Sequence, residues 1–351
     1  MTISEISKLA TSTLRKVGIE SAEIDVRVLI SHVLKKDSLY FYTHPDETLS
    51  THNEAKIMEL IDRRSKHEPV AYLTGHKEFY EYEFDVNSDT LIPRPESEWL
   101  VEQAISRTRN IESGIKTPKL SDFLVKFKNE NPLARHYFEK RLDKTLIHDS
   151  KFNILDIGTG SGCLIISLIK ELIKLPLDLK KFDFYASDSS PKALSIAKKN
   201  KKQLLPDSLP STRAESPQKQ FSATSNLINF VHSDLFSDRS LQRKFDLIIA
   251  NLPYVPREVK SQKSKVKSSI DYEPTDAIFA EMNGSSIIKK FIDQSTDFIT
   301  KDGAILIELD PRNANEIQKY AREVYPQAKI TLAKDLAGFD RYLTIENKYV
   351  E

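Results

Sequence analysis

Apolar residues recur at helical spacing through the first seventy positions and then give way to strand-like alternation. The helical stripe runs through Ile3, Ile6, Leu9, Leu14 and Val17, resumes at Ile24, Val28 and Leu29, and returns at Ile57, Leu60 and Ile61. A turn near His44-Pro45-Asp46 separates two of these helices. Residues 1–75 therefore read as a small helical domain. From 79 to 92 the pattern alternates through Phe79, Tyr80, Tyr82, Phe84 and Val86 and reaches Leu91-Ile92, with Asn87-Ser88-Asp89 as the simplest connecting turn. Residues 76–98 are on this reading a β-hairpin linker.

The remainder, 99–351, alternates short apolar strands with helices. Strands are expected at Asn153 to Asp156, Phe184 to Asp188, Ile228 to His232, Phe245 to Ala250, Ala304 to Glu308 and Tyr342 to Ile345. Helices are expected at Leu164 to Leu175 and Pro191 to Asn200. That rhythm indicates an α/β fold with a doubly wound, mostly parallel sheet. Three stretches break it. Residues 106–150 are charged, with helical spacing at Phe123 to Phe127 and Tyr137 to Leu142. Residues 201–225, rich in Ser, Pro, Lys and Gln, read as a disordered loop, and 257–269 are Lys/Ser-rich.

Composition narrows the classes further. At 351 residues the chain can bury two cores, and no apolar run approaches the ~18 residues of a membrane helix. The single cysteine, Cys163, excludes an internal disulfide or a thiolate metal cluster, and no metal site is expected. Net charge is +1, but acids outnumber bases over residues 1–90 while the rest is basic. An acidic front argues against a nucleic-acid clamp there. Met1 to Gly18 hold Lys8, Arg15 and Lys16 with many hydroxyls and one acid, which is also the composition of an organelle presequence, although the helical spacing favours an ordinary first helix.

The chemistry concentrates at strand ends. Asp156-Ile157-Gly158-Thr159-Gly160-Ser161-Gly162 joins the first parallel strand to the first helix of its domain. Its alternating glycines let the backbone turn sharply and leave no Cβ where a ligand must approach. The spacing Gly-x-Gly-x-Gly departs from the dinucleotide fingerprint Gly-x-Gly-x-x-Gly. S-adenosylmethionine has no phosphates, and its ammonium group suits a carboxylate such as Asp156. Asp188 ends the second strand, where it can take both ribose hydroxyls; alternatively Asp188 or Ser189 only caps the next helix. Asp234, after the third strand, is placed to reach the adenine amine, with Leu235 or Phe236 flanking the ring. Asn251-Leu252-Pro253-Tyr254 follows the fourth strand and offers a side-chain amide and a backbone carbonyl that can grip a planar –NH2 group. The plain alternative is a strand followed by a Pro-Tyr turn.

With these four pieces in order, the chain resembles the HemK/PrmC family, which methylates the glutamine nitrogen of peptide-chain release factors. The likeness is also carried by Glu68-Pro69-Val70-Ala71-Tyr72-Leu73-Thr74-Gly75, Phe79, Leu91-Ile92-Pro93-Arg94-Pro95-Glu96-Ser97-Glu98, Tyr272-Glu273-Pro274 and Gly338-Phe339-Asp340-Arg341. It implies a class I S-adenosylmethionine-dependent methyltransferase fold of seven strands behind a helical substrate-recognition domain. It further implies S-adenosylmethionine held by Asp156, Gly158, Thr159, Gly160, Ser161, Gly162, Asp188, Asp234, Leu235 and Asn251. Catalysis falls to Asn251, Leu252, Pro253 and Tyr254, the partner is a class I release factor, and a monomer is expected. Two departures stand out. Leu252 replaces the usual first proline of Asn-Pro-Pro-Tyr, which keeps the carbonyl but loses the fixed backbone angle. Ile307-Glu308-Leu309-Asp310 lacks the usual glycine after the strand.

The expected reaction moves a methyl from the sulfonium to the amide nitrogen, with Asn251 Oδ1 and the Leu252 carbonyl each accepting one amide hydrogen. The rival is an adenine or cytosine amino-methylase, for which Lys260, Lys263, Lys265 and Lys267 beside the site speak and the acidic front speaks against. A fold that binds cofactor without turnover is a third reading, resting on Leu252 alone. The Lys/Asn/Ser-rich insertions and the front domain suggest the mitochondrial-type branch and the matrix, with the cytoplasm as alternative.

Overall fold

A computed structural model of the chain describes residues 1–113, 151–175, 177–206, 227–256, 268–280 and 284–347. Most of the three irregular stretches, with the spacing expected at 123–127 and 137–142 and with Lys260, Lys263, Lys265 and Lys267, lies outside the described residues.

The front domain comprises α1 (Ile3–Lys16), α2 (Ala22–Leu34), α3 (Ser38–Thr43), α4 (Thr51–Ser65) and α5 (Val70–Thr74). Thr2 and Glu5 close a capping box at the start of α1, so two orphan backbone donors are satisfied there. Ile3, Ile6, Ala10 and Leu14 then pack against α2 and α4. Four expected stripe members fail. Leu9 and Val17 face out, and on α2 the buried row is Ala22, Val26, Leu29 and Ile30, leaving Ile24 and Val28 exposed. Ile24 and Val28 sit four apart and so share a face, but the competing row turns Asp25 inward, where Arg64 Nε donates to it at 2.8 Å.

The linker hairpin forms, one turn earlier than expected. Strand β1 (His76–Phe79) pairs antiparallel with β2 (Tyr82–Asp85) across Tyr80-Glu81, both at positive φ. Neither residue is a usual choice there, and Glu98 Oε1 accepts from the Tyr80 N–H at 2.9 Å to hold the turn. Asn87-Ser88-Asp89 is instead an Asx turn, closed by the Asp89 N–H on Asn87 Oδ1, and Leu91-Ile92 is not a strand.

Helix α6 (Glu98–Ser113) leads into the second domain, whose sheet uses β3 (Phe152–Ile157), β4 (Phe182–Asp188), β5 (Ile228–His232), β6 (Phe245–Ala250), β9 (Ile299–Glu308), β10 (Lys329–Lys334) and β11 (Asp340–Glu346). A short parallel pair, β7 (Val255–Pro256) with β8 (Phe279–Ala280), lies outside it. The strand order is β10-β11-β9-β6-β3-β4-β5, and only β11 runs against the rest. Helices α7 (Cys163–Ile173), α8 (Pro191–Leu204), α9 (Thr275–Ile278), α10 (Ser286–Ser295) and α11 (Ala314–Val324) are the further α-helices among the described residues. The inner strands are apolar on both faces: Leu155, Ile157, Ile248 and Ala250 enter one core, and Ile154, Leu247 and Ile249 the other. This is the class I methyltransferase fold. Its strand order reverses between β3 and β6, and ligands in such sheets lie at that crevice.

Candidate functional site

Ile157 at the end of β3 is the register partner of Ala250 at the end of β6, so the glycine loop and Asn251 leave the sheet next to each other. The loop turns at once. Gly158 and Thr159 N–H both donate to the Ser187 carbonyl, at 2.8 and 2.9 Å, which ties the loop to β4. Gly158, Gly160 and Gly162 all have positive φ. A Cβ on Gly162 would meet Ile166 at 2.9 Å and Ala197 at 3.2 Å, so this glycine lets α7 approach α8. A Cβ on Gly160 would meet nothing within 4 Å. Close helix packing accounts for Gly162, and open space for a ligand accounts for Gly160.

Asp156 lies fully buried beneath this loop. Thr159 Oγ1 donates to its Oδ2 at 2.7 Å, while Oδ1 has no partner among the described residues. Burial pushes its carboxyl up to about 7, opposed by the Thr159 hydroxyl. Ser187 Oγ is a second buried atom at the same sheet edge without a partner among the described residues. These orphaned polar atoms beside an open glycine fit a ligand that brings a cation and donors, as the methionine end of S-adenosylmethionine does. Asp188 stands next along the edge. Its Oδ2 accepts from Gly160 N–H and its Oδ1 from Ser190 N–H, each at 2.8 Å, leaving lone pairs for a diol. Burial raises this carboxyl too, against those backbone donors. The cap of α8 is Ser190, whose Oγ accepts from Ala193 N–H, so neither Asp188 nor Ser189 caps that helix.

The third position divides. Leu235 is buried at positive φ, and Asp234 is exposed with Lys290 Nζ at 2.9 Å from Oδ2. Phe236 is a core residue: it stacks on Phe298 at 4.4 Å and on Phe291 at 5.8 Å, so it does not flank a ligand ring. The Asp-Leu-Phe run carried no signal separating wall from core.

At Asn251 the network is tight. Its Nδ2 donates to Ser97 Oγ at 2.8 Å and to Glu308 Oε2 at 3.1 Å. Ser97 Oγ donates to the same Oε2 at 2.6 Å, and Tyr254 OH donates to Oε1 at 2.8 Å. No described residue donates to Asn251 Oδ1. Tyr254 therefore points its hydroxyl inward, and burial beside Glu308 raises its pKa. Leu252 is buried, with its Cδ2 at 3.0 Å from where a Gly158 Cβ would stand, and so braces the glycine loop. Below the tetrapeptide, a Cβ on Gly284 would fall 1.9 Å from the Tyr254 carbonyl oxygen.

The residues sequence reasoning assigned no role are Ser97, Glu308, Gly284 and Glu273. Glu308 had a usable signal, since it is an acid ending the strand next to β6. Glu273 is buried; its Oε2 accepts from Ile92 N–H at 3.0 Å and its Oε1 pairs with Arg94. Arg94 thus braces the linker rather than forming a surface pair. Tyr272 OH adds a bond to the Lys66 carbonyl at 2.7 Å, linking the front domain to the second. No group of metal-binding side chains occurs among the described residues, and no described helix is long and apolar enough to cross a membrane.

Residues 5–75 match the family described as the PrmC N-terminal domain. The chain is 35% identical over 88% of its length to a protein named bifunctional methyltransferase of Rickettsia conorii, of which it covers 51%. It spans about half the length of the curated Rickettsia relatives it matches. It is 28% identical to a release factor glutamine methyltransferase of Rhodopirellula baltica, over 98% of this chain and 96% of that one. With another protein of that name, from Leptospira interrogans, it shares 29% identity over 98% of this chain and 97% of that one. The family match thus covers the front domain, and the likeness to release factor glutamine methyltransferases runs over nearly the whole of both chains.

Proposed function

We propose that this chain transfers a methyl group from S-adenosylmethionine to the side-chain amide nitrogen of the glutamine in the Gly-Gly-Gln motif of a class I release factor. The carrying observation is the Asn251 amide, whose Nδ2 is tied to Ser97 and Glu308 while Oδ1 has no donor among the described residues. An acceptor held in that way matches a substrate –NH2 group. The names of the near full-length relatives point the same way.

Bound S-adenosylmethionine supplies an electrophilic methyl on a sulfonium. Asp156 Oδ1 would meet its ammonium, Asp188 its ribose, and Gly160 would leave room for the chain between them. Asn251 Oδ1 and the Leu252 carbonyl would each accept one hydrogen of the glutamine amide. Fixing both hydrogens aims the nitrogen lone pair along the line of displacement, and such orientation contributes up to ~7–11 kcal/mol in ideal cases. A new N–C bond forms as the S–C bond breaks, and the nitrogen then gives up one proton to water. Tyr254, its hydroxyl engaged by Glu308, offers a ring rather than a base to the substrate amide.

The front domain would hold the release factor. Its acidity suits a basic partner, and Ile24 and Val28 on α2 with Leu39 and Tyr42 on α3 are exposed apolar side chains on touching helices. No contact with nucleic acid is part of this reading, and the enzyme acts as a monomer. The matrix location rests on composition alone; a tagged chain recovered outside mitochondria would overturn it.

The test is transfer of labelled methyl to a class I release factor and to the same factor with its motif glutamine replaced by alanine. Label on the first only supports the reading. Equal label on both, or none with the cofactor bound, overturns it.

A further inference from the structure

Glu308 is the buried centre of the site, yet the transfer reaction as derived assigns it nothing. It ends β9, one strand from the switch point, with 1% of its surface exposed. Three donors converge on its two oxygens: the Ser97 hydroxyl and the Asn251 amide on Oε2, and the Tyr254 hydroxyl on Oε1. All three give hydrogens, so the carboxylate is held as an acceptor. A buried charge placed this way is costly unless paired or fully bonded, and three donors are what offset it here. Burial pushes the Glu308 carboxyl up and Glu96 adds to the rise, while the Ser97 and Tyr254 hydroxyls and Arg341 on β11 oppose it by favouring the ionised form.

The consequence falls on Asn251. An asparagine amide is free to rotate by half a turn, which exchanges its donor and acceptor ends. Here Nδ2 donates to two neighbouring acceptors, Ser97 Oγ and Glu308 Oε2. The flipped form would set Oδ1 against a carboxylate oxygen at about the same 3.1 Å and leave Nδ2 facing the cleft. Acceptor against anionic acceptor is repulsive, so only one orientation survives. Donation to an anion also polarises the amide and makes its free oxygen a stronger acceptor.

We propose that Glu308, with Ser97 as its relay, is a positioning and specificity-determining residue: it locks the Asn251 amide with its acceptor end toward substrate, so that the site takes an acceptor group bearing hydrogens and rejects a carboxylate. Glutamine is accepted and glutamate refused by the direction of one amide. The inference rests on the methyl-transfer reading above. In Glu308→Gln the amide of residue 308 can donate as well as accept, and both orientations of Asn251 become available. A substrate carboxylate oxygen could then be held by Nδ2 and attack the methyl, with the O–C bond forming as S–C breaks and no proton released, to give a base-labile ester.

The experiment compares the full-length wild type, E308Q and S97A on a class I release factor and on the same factor with its motif glutamine replaced by glutamate, alongside direct titration of S-adenosylmethionine. For E308Q, kcat on glutamine should fall about 10- to 100-fold, the scale of one lost hydrogen bond to a charge, with cofactor Kd within about threefold of wild type. The ratio of base-labile label on glutamate to stable label on glutamine should rise. S97A should show the same changes to a smaller degree. If E308Q does not fold, S97A decides: unchanged kcat and an unchanged ratio overturn the proposal. The same result in a folded E308Q overturns it directly. A general loss of cofactor binding, with the ratio unmoved, makes Glu308 only a structural support and also overturns it. Failure of the wild type to label glutamine defeats the transfer reading itself, and this inference with it.

Discussion

Asn251, just past the end of β6, and Glu308, at the end of the neighbouring strand β9, are 3.1 Å apart from Nδ2 to Oε2, although they lie 57 positions apart in the chain. The pairing of β6 with β9 brings a polar amide and a buried acid together at the crevice where the strand order reverses. The glycine loop after β3 adjoins them from the other side, with Leu252 wedged against Gly158. Cofactor loop and amide grip are thus parts of one rigid edge, positioned by strands that are apolar on both faces.

Replacing Asn251 by alanine removes the acceptor aimed at the substrate and leaves the glycine loop untouched. Turnover should drop by about 10²–10³-fold, the usual cost of one preorganised polar group at a reacting centre. Cofactor Kd, read by calorimetry, should move far less. Parallel losses in both would mean that Asn251 serves the cofactor loop and not the acceptor.

How legible this was from the residues follows from what each element depends on. β4 and β6 carry continuous apolar runs, Phe184 to Ala186 and Leu247 to Ala250, and read directly, and β5 showed through Ile228, Phe230 and Val231. β10 did not, because Lys329 to Lys334 is an edge strand only partly buried. The glycine loop and Asn251 announce themselves locally, since both depend on their own backbone. Ser97, Glu308 and Gly284 have meaning only through partners far away in sequence, so their roles needed the sheet order. The hairpin was misplaced because Tyr80-Glu81 adopts positive φ without Gly or Asn to mark it. Phe236 looked like a ring-flanking residue because an aromatic in a loop carries no mark of which way it faces.

Gly284 should tolerate no side chain. A Cβ there would overlap the Tyr254 carbonyl oxygen at 1.9 Å, and its φ of +85° already disfavours other residues. The obstructing atom is backbone, so the Asn251 to Tyr254 turn must shift if the variant folds at all. Gly284→Ala is expected to lose about 1–3 kcal/mol of stability and to lose turnover beyond that loss. Thermal melting paired with rates measured well below the melting point separates the two. A variant with normal turnover would show that the turn is more forgiving than its packing implies.

Asp156 makes stability and cofactor binding respond to pH in opposite senses. Its carboxyl sits at about 7 in the fold against an ordinary 3.8, chiefly through burial. A raised folded value means that the fold favours the protonated form. That contribution is fully present below pH ~4 and is lost as pH rises to ~7, a difference of at most about 4 kcal/mol. The ligand-free protein should therefore weaken across this interval, and Asp156→Asn should flatten the trend. A cationic ammonium placed against Oδ1 favours the ionised carboxyl, so S-adenosylmethionine should bind more tightly as pH rises towards 7 and level off above it. Melting curves and Kd taken across pH 4–8 check both. If Kd in the wild type follows the same pH course as in D156N, Asp156 does not face the ammonium.

Arg94 and Glu273 fasten the linker. The Glu273 side chain is 1% exposed, and besides Arg94 it takes only the Ile92 N–H among the bonds described. Arg94→Ala would leave that buried acid short of its counter-charge, which costs more than the pair gained by forming, because the desolvation of Glu273 is not recovered. Arg94 is itself 38% exposed, so water would make good part of the loss, and about 1–3 kcal/mol is expected. The function should change selectively. Tyr272 sits beside Glu273 and reaches the Lys66 carbonyl, so loosening this joint frees the front domain relative to the catalytic edge. KM for the release factor should rise while S-adenosylmethionine Kd stays near its starting value. R94K, which keeps the charge but lacks the planar fork, should recover part of the stability. If KM for the protein substrate is unchanged in R94A while stability falls, the linker pair holds the fold together without setting where the front domain presents its partner.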